Sequence, residues 1–418
     1  MSFIKNGARE SARWPHTSLL SKKVCKVVLL TSIKKEFIHK LFLACSKDKR
    51  KELFHMAKMY FTSESVTSGH PDKICDLIAD TILDEAIRQD PDSHMAVEAT
   101  IKDDLILIYG EAGTKAVLDY EAIAKSVLKE IGFNEEYYVV VKVNRQSPEI
   151  NQAVSQEEVA AGDQGIMFGY ASNETESYMP FAIDCAHRLA RRLEEVRRGD
   201  NRLGPDGKTQ VTVEYDDGVL KRVDTIVVST QHTKDITQEE LRELIMDKVI
   251  RPVVDPKLID EKTKYFINPS GSFIVGGSWG DSGTTGRKIV VDTYGGYAPI
   301  GGGCFSSKDP TKVDRSAAYY ARYVCRNIVA NGLADKVQLQ LSYAIGKPRP
   351  TSVNVNTFGT GRLSDEELMK VITSNFDFSV SNIIKELDLK KPIYRRTTNY
   401  GHFGKADLPW EQFRKIEF

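Results

Sequence analysis

The chain has 418 residues, of which 41% are hydrophobic and 28% charged, and its formal net charge at pH 7 is zero. This length predicts two to three domains whose core is stable without disulfides or structural metals. The balanced charge argues against a basic nucleic-acid-binding protein, and the absence of an apolar run of about 18 residues argues against a membrane span. None of the six cysteines forms a C-x-x-C pair, which argues against zinc ribbons and indicates reduced thiols in the cytoplasm.

Residues 1–55 differ in charge from the rest of the chain. They carry 13 basic and four acidic side chains, a net charge of +9. No apolar stretch there is long enough for a secretory signal peptide. The apolar residues from Ile33 to Phe42 are spaced for one face of a basic amphipathic helix, so an organelle-targeting segment is one interpretation. We favour a disordered or non-native upstream extension that precedes a start at Met56 and lies outside the catalytic body.

Apolar spacing predicts the elements of the remaining chain. A 3.6-residue period over residues 72–88 predicts a helix, with Pro71 in its first turn. It is followed by a β-β-α-β series: strands at 94–101 and 105–110, a helix at 120–130 and a strand at 137–143.

The same series is predicted twice more. The second copy has strands at 210–215 and 220–230 around the turn Asp216-Asp217-Gly218, a helix at 238–250 and a strand at 264–267. The third begins with strands at 336–345 and 351–356 and a helix at 365–374. We therefore predict an α+β fold of three related β-β-α-β domains with mixed, largely antiparallel sheets. We place these interleaved domains at residues 56–160, 161–290 and 291–418.

Four polar clusters carry candidate chemistry. In the first, Ser68–Lys73, a helix start favours anions, His70 and Lys73 suit phosphate, and Asp72 suits Mg²⁺; the alternative is an ordinary helix cap. In the second, residues 160–169, glycines on both sides of Asp163 indicate close approach to a ligand, or else a tight turn before a strand.

The third and fourth clusters are glycine-rich. Residues 276–288 resemble a phosphate loop but match neither the Walker A nor the Rossmann spacing, so a flexible loop is the alternative. Residues 301–316 lead from three glycines into a helix whose start carries Lys308, Lys312, Asp314 and Arg315. These suit phosphate and a metal, or else form a solvated first turn.

Together, the clusters supply cations and isolated carboxylates but no nucleophile paired with a base. That combination suits a polyphosphate held by Lys, Arg and Mg²⁺. No His-Glu-x-x-His pattern is present. The residues alone therefore predict a Mg²⁺-dependent nucleotide enzyme and nothing finer.

Several long motifs resemble the S-adenosylmethionine synthetase (methionine adenosyltransferase) family. They are FTSESVTSGHPDK at 61–73, GDQGIMFGY at 162–170, DTYGG at 292–296, KDPTKVDRSAA at 308–318 and YGHFG at 400–404. The resemblance extends from about residue 58 to residue 411. It implies attack of the methionine sulfur on C5′ of ATP, followed by hydrolysis of the released triphosphate to pyrophosphate and phosphate.

The resemblance also implies ligands, partners and residue roles. It implies two Mg²⁺ and one K⁺ per site, and homodimers or dimers of dimers with shared active sites. Its catalytic residues are His70, Lys208, Arg287, Lys308 and Lys312. Its metal ligands are Asp72 and Asp314 for Mg²⁺ and Glu98 for K⁺. Its methionine contacts are Glu111, Gln146, Asp281 and Lys312, and residues 146–156 match a mobile loop that gates the site. Its ATP contacts are His70, Asp163, Asp206, Lys208, Ser272, Phe273, Asp281, Arg287, Lys288, Cys304 and Lys308.

Four positions depart from the family pattern. Ser272 replaces an arginine, which removes one cation near the nucleotide, and Ile300 replaces a histidine. Cys304 and Ser307 stand where alanine and glycine are frequent, and Ser307 lacks the backbone freedom of glycine. Two alternatives to the synthetase therefore stay open: a non-catalytic, nucleotide-binding regulatory relative, and a Mg²⁺-dependent nucleotide hydrolase on the same scaffold.

Overall fold

The structure is a computed structural model that describes residues 58–145 and 159–418. The predicted extension at 1–55, Gln146 and the predicted gating loop at 146–156 lie outside the described residues. The chain divides into two units, Met1–Ala57 and Lys58–Phe418, and the description below concerns the second. In the part that is described, no helix has the length and apolar character needed to cross a membrane.

The elements of the described residues alternate between strands and helices along the chain. The strands are β1 (Met59–Val66), β2 (His94–Lys102), β3 (Leu105–Gly113), β4 (Tyr138–Arg145), β5 (Gly165–Ser172), β6 (Leu203–Asp216), β7 (Val219–His232), β8 (Lys264–Ile267), β9 (Gly283–Thr284), β10 (Lys336–Tyr343) and β11 (Ser352–Asn356). The helices are α1 (Pro71–Gln89), α2 (Tyr120–Ile131), α3 (Phe181–Gly199), α4 (Gln238–Ile245), α5 (Arg251–Val253), α6 (Gly277–Gly280), α7 (Ile289–Asp292), α8 (Val313–Ala330), α9 (Asp365–Asn375), α10 (Val380–Glu386) and α11 (Arg395–Thr398). A π-helical turn at Met246–Ile250 and 3₁₀ turns at Pro256–Leu258 and Pro409–Glu411 complete them.

The strands form three open sheets. Their orders are β4-β3-β2-β9, β1-β6-β7-β8 and β11-β10-β5. The pairs β3–β4 and β7–β8 are parallel, and the other described pairs are antiparallel. This confirms the predicted α+β fold with mixed, largely antiparallel sheets.

The repeated series is visible in two of the sheets. In both β2-β3-α2-β4 and β6-β7-α4-β8, an antiparallel pair is followed by a helix and a strand parallel to the second strand of the pair. The third series, β10-β11-α9, is followed by α10. Its third strand, β5, comes from earlier in the chain and pairs with β10. The β1 strand likewise joins β6 across a long stretch of sequence.

Two apolar cores lie between the sheets and the helices. In the larger core, α1 packs on β2, α2 packs on α1 and β4, and α8 packs on β5 and β10. In the smaller core, α3 packs on β1 and β6, and Leu241 and Ile245 of α4 join it. Along β10 the burial alternates strictly, with Val337, Leu339 and Leu341 fully buried, as expected for a strand with one covered face.

The predicted helix at 238–250 changes type along its length. The α-helix ends at Ile245, and a π-helical turn leads to Pro252. Proline has no N–H to donate to the carbonyl four residues earlier, which belongs to Lys248. Arg192 Nε donates to that carbonyl instead, at 2.8 Å. The predicted helix at 238–250 is therefore confirmed in its extent, and its carboxyl end has π-helical instead of α-helical hydrogen bonds.

Candidate active site

The amino end of α1 presents a neutral histidine. His70 is the N-cap residue, and its Nδ1 accepts the N–H of Asp72 at 3.2 Å. The ring therefore carries its proton on Nε2, which can donate a hydrogen bond. Burial, together with the charges of Lys288 and Lys208, lowers the pKa of His70 to about 3. At neutral pH this imidazole is an uncharged donor among cations.

Asp72 connects α1 to the loop after α6. Its Oδ1 accepts the N–H of Thr284 at 3.0 Å, and its Oδ2 accepts Lys288 Nζ at 2.5 Å. The Arg287 Nε lies 3.9 Å from Oδ1. Burial acts to raise the pKa of Asp72, but the bonds from Lys288 and Thr284 outweigh it and hold the pKa below its ordinary value. Asp72 is therefore an ionised carboxylate beside two cations.

Three more predicted residues belong to the same electrostatic environment. Lys208 lies on β6 opposite Val66. The charges of Lys208 and Asp281 both shift the pKa values of His70 and Asp206. Asp206 accepts the N–H of Gly277 at 2.9 Å, and burial raises its pKa to about 6. We call the following set the α1 cluster: His70, Asp72, Asp206, Lys208, Asp281, Arg287 and Lys288.

Ser272 and Phe273 lie in the loop that leads to this cluster. The backbone of Phe273 is fixed to the end of β7, because its carbonyl accepts the N–H of His232 at 2.9 Å and its N–H donates to the ring of His232 at 3.1 Å. Ser272 is exposed. The loop then meets Asp206 at Gly276, where a Cβ would lie 3.0 Å from the Cβ of Asp206.

A second group of predicted residues surrounds the amino end of α8. Lys308 Nζ binds Asp314 Oδ2 at 2.5 Å, and Lys312 Nζ binds Asp309 Oδ2 at 2.6 Å. Asp309 also accepts the N–H of Met95 at 2.8 Å, which ties the group to β2. We call Lys308, Asp309, Lys312 and Asp314 the α8 cluster. Sequence reasoning missed Asp309, although an aspartate before a proline near a helix start was a visible signal.

The structure corrects the predicted start of this helix. α8 begins at Val313 with Lys312 as its N-cap, so Lys308 lies in the preceding turn rather than on the helix. Arg315 is completely buried and bound to Asp80, and it therefore faces the protein interior instead of a phosphate. The remaining cations of the cluster are the two lysines.

Two glycines leave room for the Asp314 carboxylate. A Cβ at Gly303 would lie 2.1 Å from its Cγ, and a Cβ at Gly165 would lie 3.0 Å from its Oδ1. Of the two glycines beside Asp163, Gly165 approaches Asp314, whereas a Cβ at Gly162 would lie closest to Thr311 O, at 3.3 Å. Gly165 is also the first residue of β5, so the alternative prediction for residues 160–169, a turn before a strand, applies to the same segment. Asp163 itself is exposed, next to Gly162, whose N–H donates to Thr311 O at 3.2 Å.

Glu98 and Glu111 occupy one face of the β2–β3 sheet. Tyr109 donates its hydroxyl to Glu98 at 3.3 Å. Glu111 pairs with Ala96, and Ala96 forms an isolated bridge with Lys308. Directly paired residues point to the same face of a sheet, so the side chains of Glu111 and Lys308 lie on one face. Two strand spacings, or ~10 Å, separate these two residues.

Cys304 lies where the two clusters approach each other. A Cβ on Gly286 would lie 2.7 Å from the Cys304 sulfur, and Gly286 immediately precedes Arg287. Burial raises the pKa of the Cys304 thiol, so the side chain is an uncharged spacer at neutral pH.

The carboxylates are arranged for metals that a substrate helps to bind. Among the described residues, no three His, Cys, Asp or Glu side chains are grouped to hold a metal alone. Mg²⁺ in nucleotide enzymes typically takes one or two carboxylates and completes its shell with phosphates and water. Asp72 and Asp314 are single ionisable carboxylates beside lysines, and the glycines around Asp314 leave space at its oxygens. These residues fit Mg²⁺ bound together with a polyphosphate.

Comparisons with known proteins match most of this chain to one family. The family models for the N-terminal, central and C-terminal domains of S-adenosylmethionine synthetase match residues 58–157, 158–273 and 275–412. An S-adenosylmethionine synthase from Clostridium tetani (strain Massachusetts / E88) is 50% identical over 381 residues. That match covers 85% of this chain and 97% of the relative.

Proposed function

The chain belongs to the S-adenosylmethionine synthetase family, and from that premise we propose how its residues carry out the reaction. It is a methionine adenosyltransferase, which forms S-adenosylmethionine from ATP and methionine. The observation that carries the mechanism is the α1 cluster, in which an uncharged His70 lies among Lys208, Lys288 and Asp72.

The chemistry of the first step explains why the site has no nucleophile–base pair. The attacking atom is the thioether sulfur of methionine, which carries no proton, so no general base has to activate it. The barrier comes from charge, because a sulfonium forms while a triphosphate leaves. Fixed cations and hydrogen-bond donors around the leaving group stabilise that separation of charge without reorganising during the reaction.

We assign His70 to the leaving group. Its Nδ1 is occupied by the Asp72 N–H, so Nε2–H is the atom that donates to a triphosphate oxygen near C5′. Lys208, Arg287 and Lys288 neutralise the triphosphate from the α1 side. Lys308 and Lys312 neutralise it from the α8 side, and both are already held by carboxylates in a fixed geometry.

We assign the metals to the carboxylates of both clusters. Asp72 and Asp314 would hold two Mg²⁺, and Glu98, which accepts the Tyr109 hydroxyl, would hold K⁺. The cations would supply further positive charge for the departing triphosphate and for its hydrolysis. Lys288, beside Asp72, and Lys308, beside Asp314, are the lysines that would contact phosphate next to each metal.

The remaining predicted residues are assigned to the two substrates. Glu111, Gln146, Asp281 and Lys312 bind methionine, with Asp281 also near adenosine. Asp163, Asp206, Ser272, Phe273 and Cys304 line the nucleotide. Support comes from the loop that carries Phe273, which is fixed to β7 next to Asp206.

The open face of the β2–β3–β4 sheet supports a shared site. Leu105, Tyr138 and Val140 are 47%, 72% and 50% exposed, and their strands carry Glu98 and Glu111 or pair with those that do. A contiguous apolar face beside polar site residues is typical of a protein interface. We propose that a second copy of the chain covers this face, in a homodimer or a dimer of dimers, and that each active site combines clusters from two copies.

The cysteines support the cytoplasm as the compartment. Cys75, Cys185, Cys304 and Cys325 are unpaired in the described residues. Free thiols of this kind persist in a reducing environment.

One incubation tests the proposed reaction. Purified protein is mixed with ATP, methionine, Mg²⁺ and K⁺, and S-adenosylmethionine, pyrophosphate and phosphate are separated by chromatography. We expect the three products in equal amounts, all dependent on methionine. Phosphate release without methionine would favour the hydrolase, and bound ATP without turnover would favour the regulatory relative.

A further inference from the structure

Four aspartates form a stripe along α1. Asp72, Asp76, Asp80 and Asp84 are spaced four residues apart, which places them on one side of the helix. The four carboxylates accept backbone N–H groups from three segments: Asp72 from Thr284 and Asp76 from Gly286 in one loop, Asp80 from Ser307, and Asp84 from Tyr394 and Arg395. The helix therefore holds in register the loops that carry both clusters.

Asp80 is the most heavily bonded of the four. Its Oδ1 accepts the N–H of Ser307 at 3.1 Å, and its Oδ2 accepts the hydroxyls of Ser306 at 3.0 Å and Thr398 at 2.9 Å. Both oxygens accept the guanidinium of Arg315, at 2.7 and 2.8 Å. The side chains of Asp80 and Arg315 are wholly buried.

Arg315 has a complete set of partners. Besides Asp80, its Nη1 donates to Lys308 O at 3.2 Å, its Nε donates to the Tyr319 hydroxyl at 2.9 Å, and its Nη2 donates to Thr397 at 3.3 Å. All five N–H donors of a guanidinium are thereby used. The group cannot turn toward a ligand without losing several bonds.

The positions of these partners in the chain connect the ion pair to the α8 cluster. Ser307, bound by Asp80, precedes Lys308, and Arg315 follows Asp314. The ion pair thus fixes the backbone on both sides of the Lys308–Asp314 pair. Ser307 also has a positive φ of 82°, a conformation that needs support when the residue is not glycine.

We propose that Asp80 and Arg315 are positioning residues that set the distance between Lys308 and Asp314, and thereby the affinity of the site for the metal–triphosphate. The inference rests on the proposed function, because it concerns the roles assigned there to Lys308 and Asp314. Neither Asp80 nor Arg315 contacts the substrate. They act through the backbone of Ser307 and Lys308 and through the start of α8.

The same helix offers a matched control. Arg322, also on α8, forms an ion pair with Glu411 at 2.8 Å, and these side chains are 0% and 4% exposed. Arg322 also donates to backbone carbonyls of Tyr170, Ser177 and Tyr178, so its guanidinium is as fully bonded as that of Arg315. None of its partners belongs to the α1 or α8 cluster. Loss of either pair leaves a buried guanidinium without its carboxylate.

The experiment compares Asp80→Asn with Glu411→Gln in the full chain. Thermal unfolding, kcat, the KM values for ATP and for methionine, and the Mg²⁺ concentration at half-maximal rate are measured for both variants. We expect both to unfold at lower temperature. Only Asp80→Asn should lower kcat at least 10-fold and raise the half-maximal Mg²⁺ concentration at least 5-fold, while the KM for methionine changes less than 2-fold.

Two further variants keep the outcome decisive. If Asp80→Asn does not fold, Ser306→Ala, which removes one hydroxyl bond to Asp80, should still raise the half-maximal Mg²⁺ concentration at least 2-fold. Equal kinetic effects in Asp80→Asn and Glu411→Gln, or an unchanged Mg²⁺ dependence in Ser306→Ala, would overturn the positioning role. Asp314→Asn separates the two proposals: if it loses turnover while Asp80→Asn resembles Glu411→Gln, the proposed function stands and this inference is wrong. If Asp314→Asn keeps full turnover, the proposed role of the site itself is wrong.

Discussion

Asp314 is held from one side by Lys308, and two glycines leave its oxygens accessible. The carboxylate is mostly buried, yet the Gly303 and Gly165 backbones approach it closely enough that any side chain there would collide with it. A single carboxylate that has space, a lysine and a helix start beside it has the surroundings expected of a Mg²⁺ ligand completed by phosphate.

We expect Asp314→Asn to lower kcat at least 100-fold. The amide keeps the shape of the side chain but loses the charge that would attract Mg²⁺. It also leaves Lys308 without its partner. Steady-state synthesis of S-adenosylmethionine measures the effect, and circular dichroism checks the fold. Asp377→Asn, which breaks an exposed pair with Arg349, is the control and should leave kcat unchanged. Wild-type turnover in Asp314→Asn would remove this residue from the metal site.

Ser307 illustrates what a single residue can reveal from sequence. Because glycine is frequent at its position in the family, we predicted a particular φ for Ser307, and the φ of 82° confirms this. The bond from its N–H to Asp80 was not predictable, because the partner is more than 200 positions earlier in the chain. The conformation of a residue could therefore be predicted where it depends on a local motif. A hydrogen bond to a residue distant in the sequence could not be predicted.

At the scale of elements, periodic segments were predicted well. Helix α1 was predicted at 72–88 and spans Pro71–Gln89, and the strand at Lys264–Ile267 was predicted exactly. Strand β1 was missed because it lies inside a motif whose polar residues hide the alternation, and the π-helical turn was missed because its cause is Pro252. The i, i+4 aspartates of α1 were visible in the sequence, but the loops they bind are set by tertiary packing.

The contact between β9 and the start of α1 allows no side chain on Gly283. A Cβ there would lie 2.2 Å from Pro71 O and 2.8 Å from the Asp72 N. These atoms are backbone and cannot move independently, so Gly283→Ala should push β9 away from α1. We expect a loss of about 2 kcal/mol or more in the free energy of unfolding, as for other overpacked sites, and at least a 10-fold lower kcat.

Denaturant unfolding and steady-state kinetics measure both effects of Gly283→Ala. Gly199→Ala is the matched control, because a Cβ at Gly199, the last residue of α3, has nothing within 4 Å. That change should leave kcat unchanged and the free energy of unfolding within about 0.5 kcal/mol. Full activity in Gly283→Ala would mean that the register of β9 on α1 does not matter to the site.

At the scale of the whole molecule, the order of strands within sheets was beyond sequence reasoning. The hairpin β6–β7 was predicted because its turn is local. The pairing of β1 with β6 and of β5 with β10 depends on which sheet edges remain free after the local hairpins form. The two clusters were each found from motifs, whereas their arrangement around α1 required the assembled fold.

The buried histidines predict how stability depends on pH. His187 is fully buried, and burial lowers its pKa well below the ordinary value; its Nδ1 shares a hydrogen with Ser65 at 2.8 Å. An unfolded histidine has a pKa of about 6.5, so below that pH the unfolded chain binds a proton that the folded chain does not. Stability from this group is therefore lost as pH falls below about 6.5.

The variant His187→Gln isolates that contribution. Carboxyls such as Asp206, whose pKa is raised to about 6, have the opposite pH dependence, but they are present in both proteins and cancel in the difference. We expect the destabilisation caused by His187→Gln to be about 2 kcal/mol smaller at pH 5 than at pH 7. Urea unfolding at both pH values measures it. A difference that does not change with pH would mean that the pKa of His187 is the same in the folded and the unfolded protein.

The last prediction concerns the role of residues 1–55 in the whole chain. Among the described residues, the larger core begins at Ile74 and the smaller one at Phe181. The α1 cluster begins at His70 and the α8 cluster at Lys308, and the family match begins at residue 58. The described core residues and the charged residues of both clusters therefore all lie outside the basic extension. We expect residues 56–418 alone to unfold within about 2 °C of the full chain and to keep kcat within 2-fold, since ~1 kcal/mol corresponds to a few degrees or less in a chain of this size. Thermal unfolding and the product assay, run side by side on the two proteins, measure this. Precipitation or loss of turnover in the shorter protein would make the extension part of the enzyme.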